Sequence, residues 1–469
     1  MRHSIGWRSA SSESGRRRPW HHVDIVLCAV AMSLLGPAPA AAIPVFARIY
    51  NVPCGACHTV FPQLNPAGEH FRARGLHGLT PEIEPIKIGS AFELPGTLPV
   101  ALYLSTGEDV THDDPSGDSA STRTHFNLEF FRLVAGGELG RHFSFLADYE
   151  FVETDPETGE IETLTHPYQG FLNAHADRWG WLGNVKGGWY EQPLGVSPLI
   201  HRLSVRKYLI YESNACSLLD TAPAGTDCDD QSSLGEPQIG ANLGALHTAS
   251  GFGWTAGMTN GANSHLKTTP ASADAHLRLS KAFGPHEVGF FAYYSPDIVG
   301  SGTDDRTVRF GPDLDVYSRR FRILGQFLAE HESSPTGSGE SMWYYGGFLE
   351  GNFRFTTRLV SLLRMDYAWN PTFDDRSRGG NTHVQRRLWE LTGGLQWLIF
   401  ENLKAIAEVT YGESYESVTD NESATWRATL RLMTAFWPLT PPGLAEWTQR
   451  KSAAYDTREA PSPAYETTP

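Results

Sequence analysis

From about residue 97 to residue 437 the chain alternates apolar and polar positions with a period of two, the repeat of an extended strand whose successive side chains point to opposite faces. In Phe143 to Phe151, one face carries Phe143, Phe145, Ala147, Tyr149 and Phe151, and the other carries Ser144, Asp148 and Glu150 beside Leu146. Leu403 to Tyr411 repeats the pattern, with Leu403, Ala405, Ala407, Val409 and Tyr411 opposing Lys404, Glu408 and Thr410. Trp426, Ala428, Leu430, Leu432 and Phe436 oppose Thr425, Arg427, Thr429 and Arg431. Such strands suit a soluble sheet with one wet face, or a barrel whose apolar face meets lipid and whose charged face lines a lumen.

Two features favour the barrel. Aromatic residues stand near strand ends (Tyr149, Trp389, Trp397, Tyr411, Trp426, Phe436), as an interfacial girdle requires. The connections also alternate in length: short ones near 137–141, 177–183, 248–252, 284–287, 311–314, 351–353 and 400–402, long ones near 105–122, 153–168, 193–235, 261–272, 296–303, 331–340, 369–383 and 414–423. Counted from a strand near 98–104, this gives sixteen strands with both ends on one side, the parity of an outer-membrane barrel. The strand near 304–310 is weak, so fourteen also fit, and a soluble β-sandwich is the competing fold. The expected fold is all-β, a transmembrane antiparallel β-barrel of about sixteen strands over 97–437, with a short N-terminal segment before it and a Pro-, Thr- and Glu-rich tail over 438–469.

Composition alters this picture at the N-terminus and at the charge. Val23 to Leu35 is apolar but short and contains Asp24, whereas a spanning helix needs about 20 residues. Arg16, Arg17 and Arg18 precede it and Pro37 to Ala42 follow with small residues, the order of an export signal over 1–42. The formal charge of −15 over 469 residues excludes nucleic acid as a partner, because phosphate binding needs clustered Lys and Arg. Export also makes Cys216 and Cys228, in a Gly-, Asp- and Ser-rich stretch, a disulfide candidate.

The segment over 43–90 holds the chemistry. Cys54-Gly55-Ala56-Cys57-His58 has the c-type haem attachment spacing. Two thiols three positions apart can form thioethers to the haem vinyl groups, and the adjacent His58 is then placed as the proximal iron ligand. Zinc would need a second ligand pair nearby, and a redox dithiol would need a βαβ setting that the Pro-containing flanks lack. One haem c is therefore expected. Asn65, Pro66 and Gly75 mark the start and end of a short helix after the motif. No Met lies in this segment, so a local distal ligand would be His77 or His70; a five-coordinate iron or a ligand from the barrel stays open.

Acidic residues occupy the expected loops, notably Glu108, Asp109, Asp113, Asp114 and Asp118, and Asp227, Asp229 and Asp230. They form a solvated outer surface or draw cations to a pore mouth. The alternation turns Arg278, Arg320, Arg322, Arg358, Arg364, Arg427 and Arg431 into the lumen, to pair with Asp148, Glu150, Asp366 and Glu408 or to hold haem propionates.

Over Ile43 to Gly75 the sequence resembles the fused monohaem cytochrome c-porin family of the outer membrane, which includes iron(II) oxidases. The resembling residues are Phe46-Ala47-Arg48, the haem motif, and Pro62, Leu64, Asn65, Gly68, Phe71 and Gly75. Gly187 to Gly195 (GGWYEQPLG) also looks like a segment of phosphate-selective-type porins. The resemblance implies Cys54, Cys57 and His58 as haem ligands and a haem-bearing plug on the periplasmic side or in the lumen of a barrel in the outer membrane of a Gram-negative-type bacterium. It further implies electron passage from an extracellular donor such as Fe(II) to periplasmic cytochromes or other carriers, which would make the chain an Fe(II)-oxidising oxidoreductase. The long tail after Phe436 departs from the usual barrel ending. The competing function is a diffusion porin whose haem segment is a plug or sensor.

Overall fold

Sixteen long antiparallel strands pair in chain order and close on themselves in the computed structural model. It describes residues 45–436 except 80, 82–83, 89–91, 97–98, 117–118, 155–160, 164–166, 196–200, 214–233, 261–272, 300–302, 336–338, 372, 376–381, 401 and 418–420. The strands are β1 (Val100–Pro115), β2 (Ser121–Glu138), β3 (Phe143–Thr154), β4 (Pro167–Arg178), β5 (Trp181–Tyr190), β6 (Gln238–His247), β7 (Phe252–Thr259) and β8 (Asp274–Phe283). They continue with β9 (His286–Val299), β10 (Thr303–Tyr317), β11 (Phe321–Glu332), β12 (Met342–Arg354), β13 (Leu359–Trp369), β14 (Arg386–Phe400), β15 (Leu403–Glu416) and β16 (Asn421–Phe436). The ring closes where β16 pairs with β1, from Ser423 opposite Pro115 to Phe436 opposite Leu102. Closure leaves no unpaired edge, the condition for a sheet to stand in lipid.

Polarity is inverted relative to a water-soluble sheet. In β3, Ser144, Asp148 and Glu150 are buried and Phe143 is exposed; in β15, Lys404, Glu408 and Thr410 are buried and Val409 is exposed. In β16, Thr429 and Arg431 face inward while Trp426, Leu430 and Leu432 cover the outside. Charges turned inward and bare apolar side chains turned outward are the arrangement of a transmembrane barrel. Rings cluster at both rims of the outer face. Trp343, Tyr345 and Trp369 stack at the long-loop ends of β12 and β13, and Trp389, Tyr411 and Trp426 continue the row with Tyr411 and Trp426 4.4 Å apart. Trp179, Phe283, Phe355, Trp397 and Phe400 are exposed at the short-turn rim.

The seven short turns and the placement of both barrel ends follow the sequence pattern, but several boundaries move. The expected turns at 311–314 and 351–353 lie inside β10 and β12, and the chain reverses at 318–320 and 355–358 instead. Gly311 and Pro312 mark a strand irregularity: pairing to β11 skips from Phe310 to Asp313, and a side chain at Gly311 would fall on the Phe327 carbonyl. The weak strand near 304–310 is part of the long β10.

This shift corrects two residue sets. Arg320 and Arg358 sit exposed in the short turns, outside the lumen. Glu108, Asp109, Asp113 and Asp114 belong to strand β1, where Asp109 is buried against Arg431 and Glu108 alternates to the outer face. Asp118, Asp227, Asp229, Asp230, Cys216 and Cys228 lie outside the described residues, as do 1–42 and 438–469.

Two inserts occupy the barrel's interior. The N-terminal segment enters at the short-turn side with α1 (Val45–Ile49) and α2 (Pro66–Ala73), and the connection between β5 and β6 carries α3 (Leu209–Glu212) inward from the long-loop side. Val45, Ile49, Tyr50, Phe71 and Leu76 form an apolar core with Ala101 of β1, in which Phe46 and Phe71 meet edge to face at 5.5 Å. Arg48 donates to the Val100 carbonyl at 3.0 Å, and the Gly75 carbonyl accepts from Ser144 and from Asn173.

Candidate functional site

The cysteine motif is a single turn of 3-10 helix, Cys54–Ala56, closed by the Cys57 amide on the Cys54 carbonyl at 3.2 Å. Asn65 holds that turn and α2 together. Its Oδ1 accepts from the Gly68 amide at 3.0 Å as the helix N-cap, and its Nδ2 donates to the Gly55 and Ala56 carbonyls at 3.2 and 3.1 Å. Its amide reaches the Cys57 carbonyl at 2.9 Å. The helix presses so closely on the turn that a Cβ at Gly68 would stand 2.2 Å from the Cys57 carbonyl oxygen. Gly75, at φ +74°, ends the helix in the left-handed region that favours glycine.

Cys54, Cys57 and His58 line one cavity of about 250 Å³ inside the barrel. Its walls are largely apolar, with Phe46, Phe61, Leu64, Phe71 and Tyr103 among them, and the cations Arg72, Arg132, Lys186, Arg202 and Lys404 stand around it. Cys54 and Cys57 form no disulfide with each other, and burial pushes the Cys57 thiol up. His58 Nδ1 lies 3.0 Å from the Pro62 carbonyl, which can only accept, so Nδ1 carries the proton and Nε2 keeps its lone pair. Burial holds the His58 imidazolium down at about 4, against the pull of the Pro62 and Gln63 carbonyls. A neutral ring anchored through one nitrogen is the form in which histidine ligates a metal.

These residues fit a covalently held haem: two thiols at the attachment spacing, an oriented imidazole beside them, apolar walls for a macrocycle and cations for its carboxylates. The segment is tied to the barrel at the same place. Lys404 donates to the Phe61 carbonyl at 2.7 Å and to Gln396 at 3.0 Å, and Arg322 donates to the Leu64 carbonyl while paired with Asp315.

Neither expected distal histidine lines this cavity. His70 is on the exposed side of α2, and His77 is drawn away to Glu138 at 3.2 Å and stacks on His175 at 4.0 Å. The histidine that does line it is His201, from the β5–β6 insert. No spacing in the sequence pointed to it; the available signal was a basic and apolar run, His201 to Tyr211 (HRLSVRKYLIY), inside an otherwise loop-like stretch. Burial, with the positive charges of Arg72, His58 and Arg322, holds the His201 imidazolium well below its ordinary range.

The remaining lumen arginines are turned to partners on the barrel wall. Arg278 pairs with Glu287 and Asp313 at 2.6 and 2.8 Å, and Arg364 with Asp366 at 2.6 Å. Arg427 approaches Thr111. Asp148 and Glu150 face Arg132, and Glu408 accepts from Ser204 and from the Val205 and Arg206 amides.

No family model matches the chain, and no curated protein does. Among solved structures it is similar to an anion-selective porin from Comamonas acidovorans (12% identity, 72% of this chain and 99% of that one, TM-score 0.49). It is also similar to the outer membrane channel DcaP of Acinetobacter baumannii (10%, 76% and 100%, TM-score 0.48) and to OmpT of Vibrio cholerae (11%, 75% and 100%, TM-score 0.43). The barrel architecture rests on the strand pairing itself.

Proposed function

We propose that the chain is an outer-membrane monohaem cytochrome c fused to a porin-type barrel, which conducts electrons from an extracellular donor, with Fe(II) the candidate, to periplasmic carriers. The observation that carries this reading is the position of Cys54, Cys57 and His58 together on one cavity inside the lumen, with His58 neutral and its Nε2 lone pair free of the Pro62 bond. Cys54 and Cys57 would carry the thioether links and His58 the proximal bond. When bound, haem c supplies a one-electron couple inside a layer about 30 Å thick that otherwise insulates. The chain's own residues fix the site: Asn65 and Gly68 seat the turn against α2, Phe61 and Tyr103 give its wall an apolar face, and Lys404 and Arg322 clamp it to the barrel.

The second reading is a diffusion porin with a haem-bearing plug or sensor. It is favoured by the sixteen-strand ring, a size that can enclose an aqueous channel. It is also favoured by the barrel's porin-type architecture, a closed antiparallel ring, while the described residues of both inserts pack on the barrel wall within the lumen. Reconstitution in liposomes separates the two. With an external reductant and enclosed cytochrome c, the conduit reduces the trapped acceptor while small solutes stay inside; an acceptor that remains oxidised while solutes leak overturns it.

A further inference from the structure

The β5–β6 insert brings a second imidazole to the cavity of His58. The two segments are fixed to each other: Val60, two residues after His58, and Leu203, two residues after His201, pack in one buried cluster with Val360 and Leu362 of β13. The chain just beyond His201 is pinned to the barrel wall, with Ser204 donating to Glu408 at 2.9 Å and Gln396 donating to the Leu203 carbonyl. Arg202 bonds back to the Ser204 and Val205 carbonyls at 3.1 and 3.2 Å. His201 is therefore held at the cavity wall by its neighbours. Its own Nδ1 is buried without a hydrogen-bond partner among the described residues, as are both ring nitrogens of His175 and His276; of these three histidines His201 is the one that lines the cavity of His58. His70 is exposed and His77 is engaged with Glu138, so neither competes from within the N-terminal segment.

We propose that His201 would supply the second protein ligand of the haem iron that His58 would hold, so that both inserts contribute to one coordination sphere. This rests on the haem reading above. It makes the insert between β5 and β6 part of the redox centre, and it ties the potential of the centre to an element that enters from the long-loop side.

The test uses the full chain matured with covalent haem and purified from membranes, read by electron paramagnetic resonance and magnetic circular dichroism. The wild type is expected to be low-spin with two imidazole ligands. His201→Ala is expected to become high-spin and to return to low-spin on adding imidazole, while His70→Ala and His77→Ala leave the spectrum unchanged. His201→Met carries the same test if the alanine variant fails to fold: a thioether-to-iron charge-transfer band appears and the potential rises. A low-spin spectrum unchanged in His201→Ala, or a wild-type haem already high-spin, overturns the ligand assignment and leaves the proposed function standing. Absence of covalent haem from the wild type, by pyridine haemochrome, overturns both.

Discussion

On the short-turn side, the lumen keeps a cavity, walled by Phe61, Tyr103 and Phe71 and held open between the N-terminal segment and Lys404. On the long-loop side the described residues of the insert pack an aromatic and apolar cluster against the wall. Tyr208 stacks on Phe348 at 4.0 Å, Tyr211 meets that ring edge on at 5.8 Å, and Leu194, Tyr293, Leu328 and Tyr344 close around them. Polar groups tie the insert to the wall there: Tyr208 donates to Glu350 at 3.1 Å, and Arg364 pairs with Asp366 and reaches the Arg206 and Lys207 carbonyls at 2.9 and 3.0 Å. One half of the lumen hosts and the other seals. The difference predicts that substitutions in the two halves will move different observables.

The largest effect is expected in the hosting half. With haem c in the cavity, Cys57→Ala and Cys54→Ala would each leave one thioether, whereas the double variant would leave none and should let acid and organic solvent extract the visible chromophore. Heat-modifiable migration on gels should stay unchanged, because neither thiol takes part in the strand pairing. A chromophore that resists extraction in the double variant would remove the basis for assigning thioether-bound haem to these two thiols.

Next comes a break in the sealing half. Arg364→Ala leaves Asp366 fully buried beside an empty site and cuts both bonds to the insert. Breaking a buried pair by removing one partner costs about 3–5 kcal/mol. The insert is expected to loosen, raising conductance in planar bilayers severalfold with covalent haem content unchanged. Unaltered conductance would show that the seal lies elsewhere.

Gly68→Val probes the hosting half without touching a ligand. A Cβ 2.2 Å from the Cys57 carbonyl forces the helix off the turn, and overpacking of this kind costs about 1–3 kcal/mol. The expected outcome is a lower yield of haem-bearing protein at normal barrel yield, measured as the ratio of Soret to protein absorbance.

What could be read from the chain follows the same division. The barrel was legible because each strand states its two faces locally: Ser144, Asp148 and Glu150 alternate with Phe145, Ala147 and Tyr149, and burial then sorts them inward and outward. The turns misplaced at 311–314 and 351–353 were glycine signals, Gly311-Pro312 and Gly351-Asn352, that in fact mark close strand approach or run on through β12. The Cys54–His58 motif is legible because its residues are adjacent in the chain. The contacts that make the cavity were not, since they join residues far apart in the chain: Lys404 to Phe61, Arg322 to Leu64, Leu203 to Val60. His201 has no local mark, whereas His77 looked suitable by nearness and is claimed by Glu138 and His175. Lumen chemistry depends on tertiary placement, and period-two alternation says only which way a side chain points.

The smallest effect divides Asn65 into its two jobs. Asn65→Ala loses the cap on the Gly68 amide and both bonds to the cysteine turn, and an N-cap substitution of this kind costs about 1 kcal/mol. That corresponds to roughly fivefold more frequent local opening, visible as faster hydrogen exchange at the Gly68 amide. Asn65→Asp keeps an oxygen to cap the helix and loses the two donations to Gly55 and Ala56. If the turn depends on those donations, the aspartate variant will protect Gly68 like the wild type while the Cys57 amide exchanges faster. If both amides stay protected, the backbone bond from Asn65 to the Cys57 carbonyl suffices to hold the turn, and the side chain serves the helix alone.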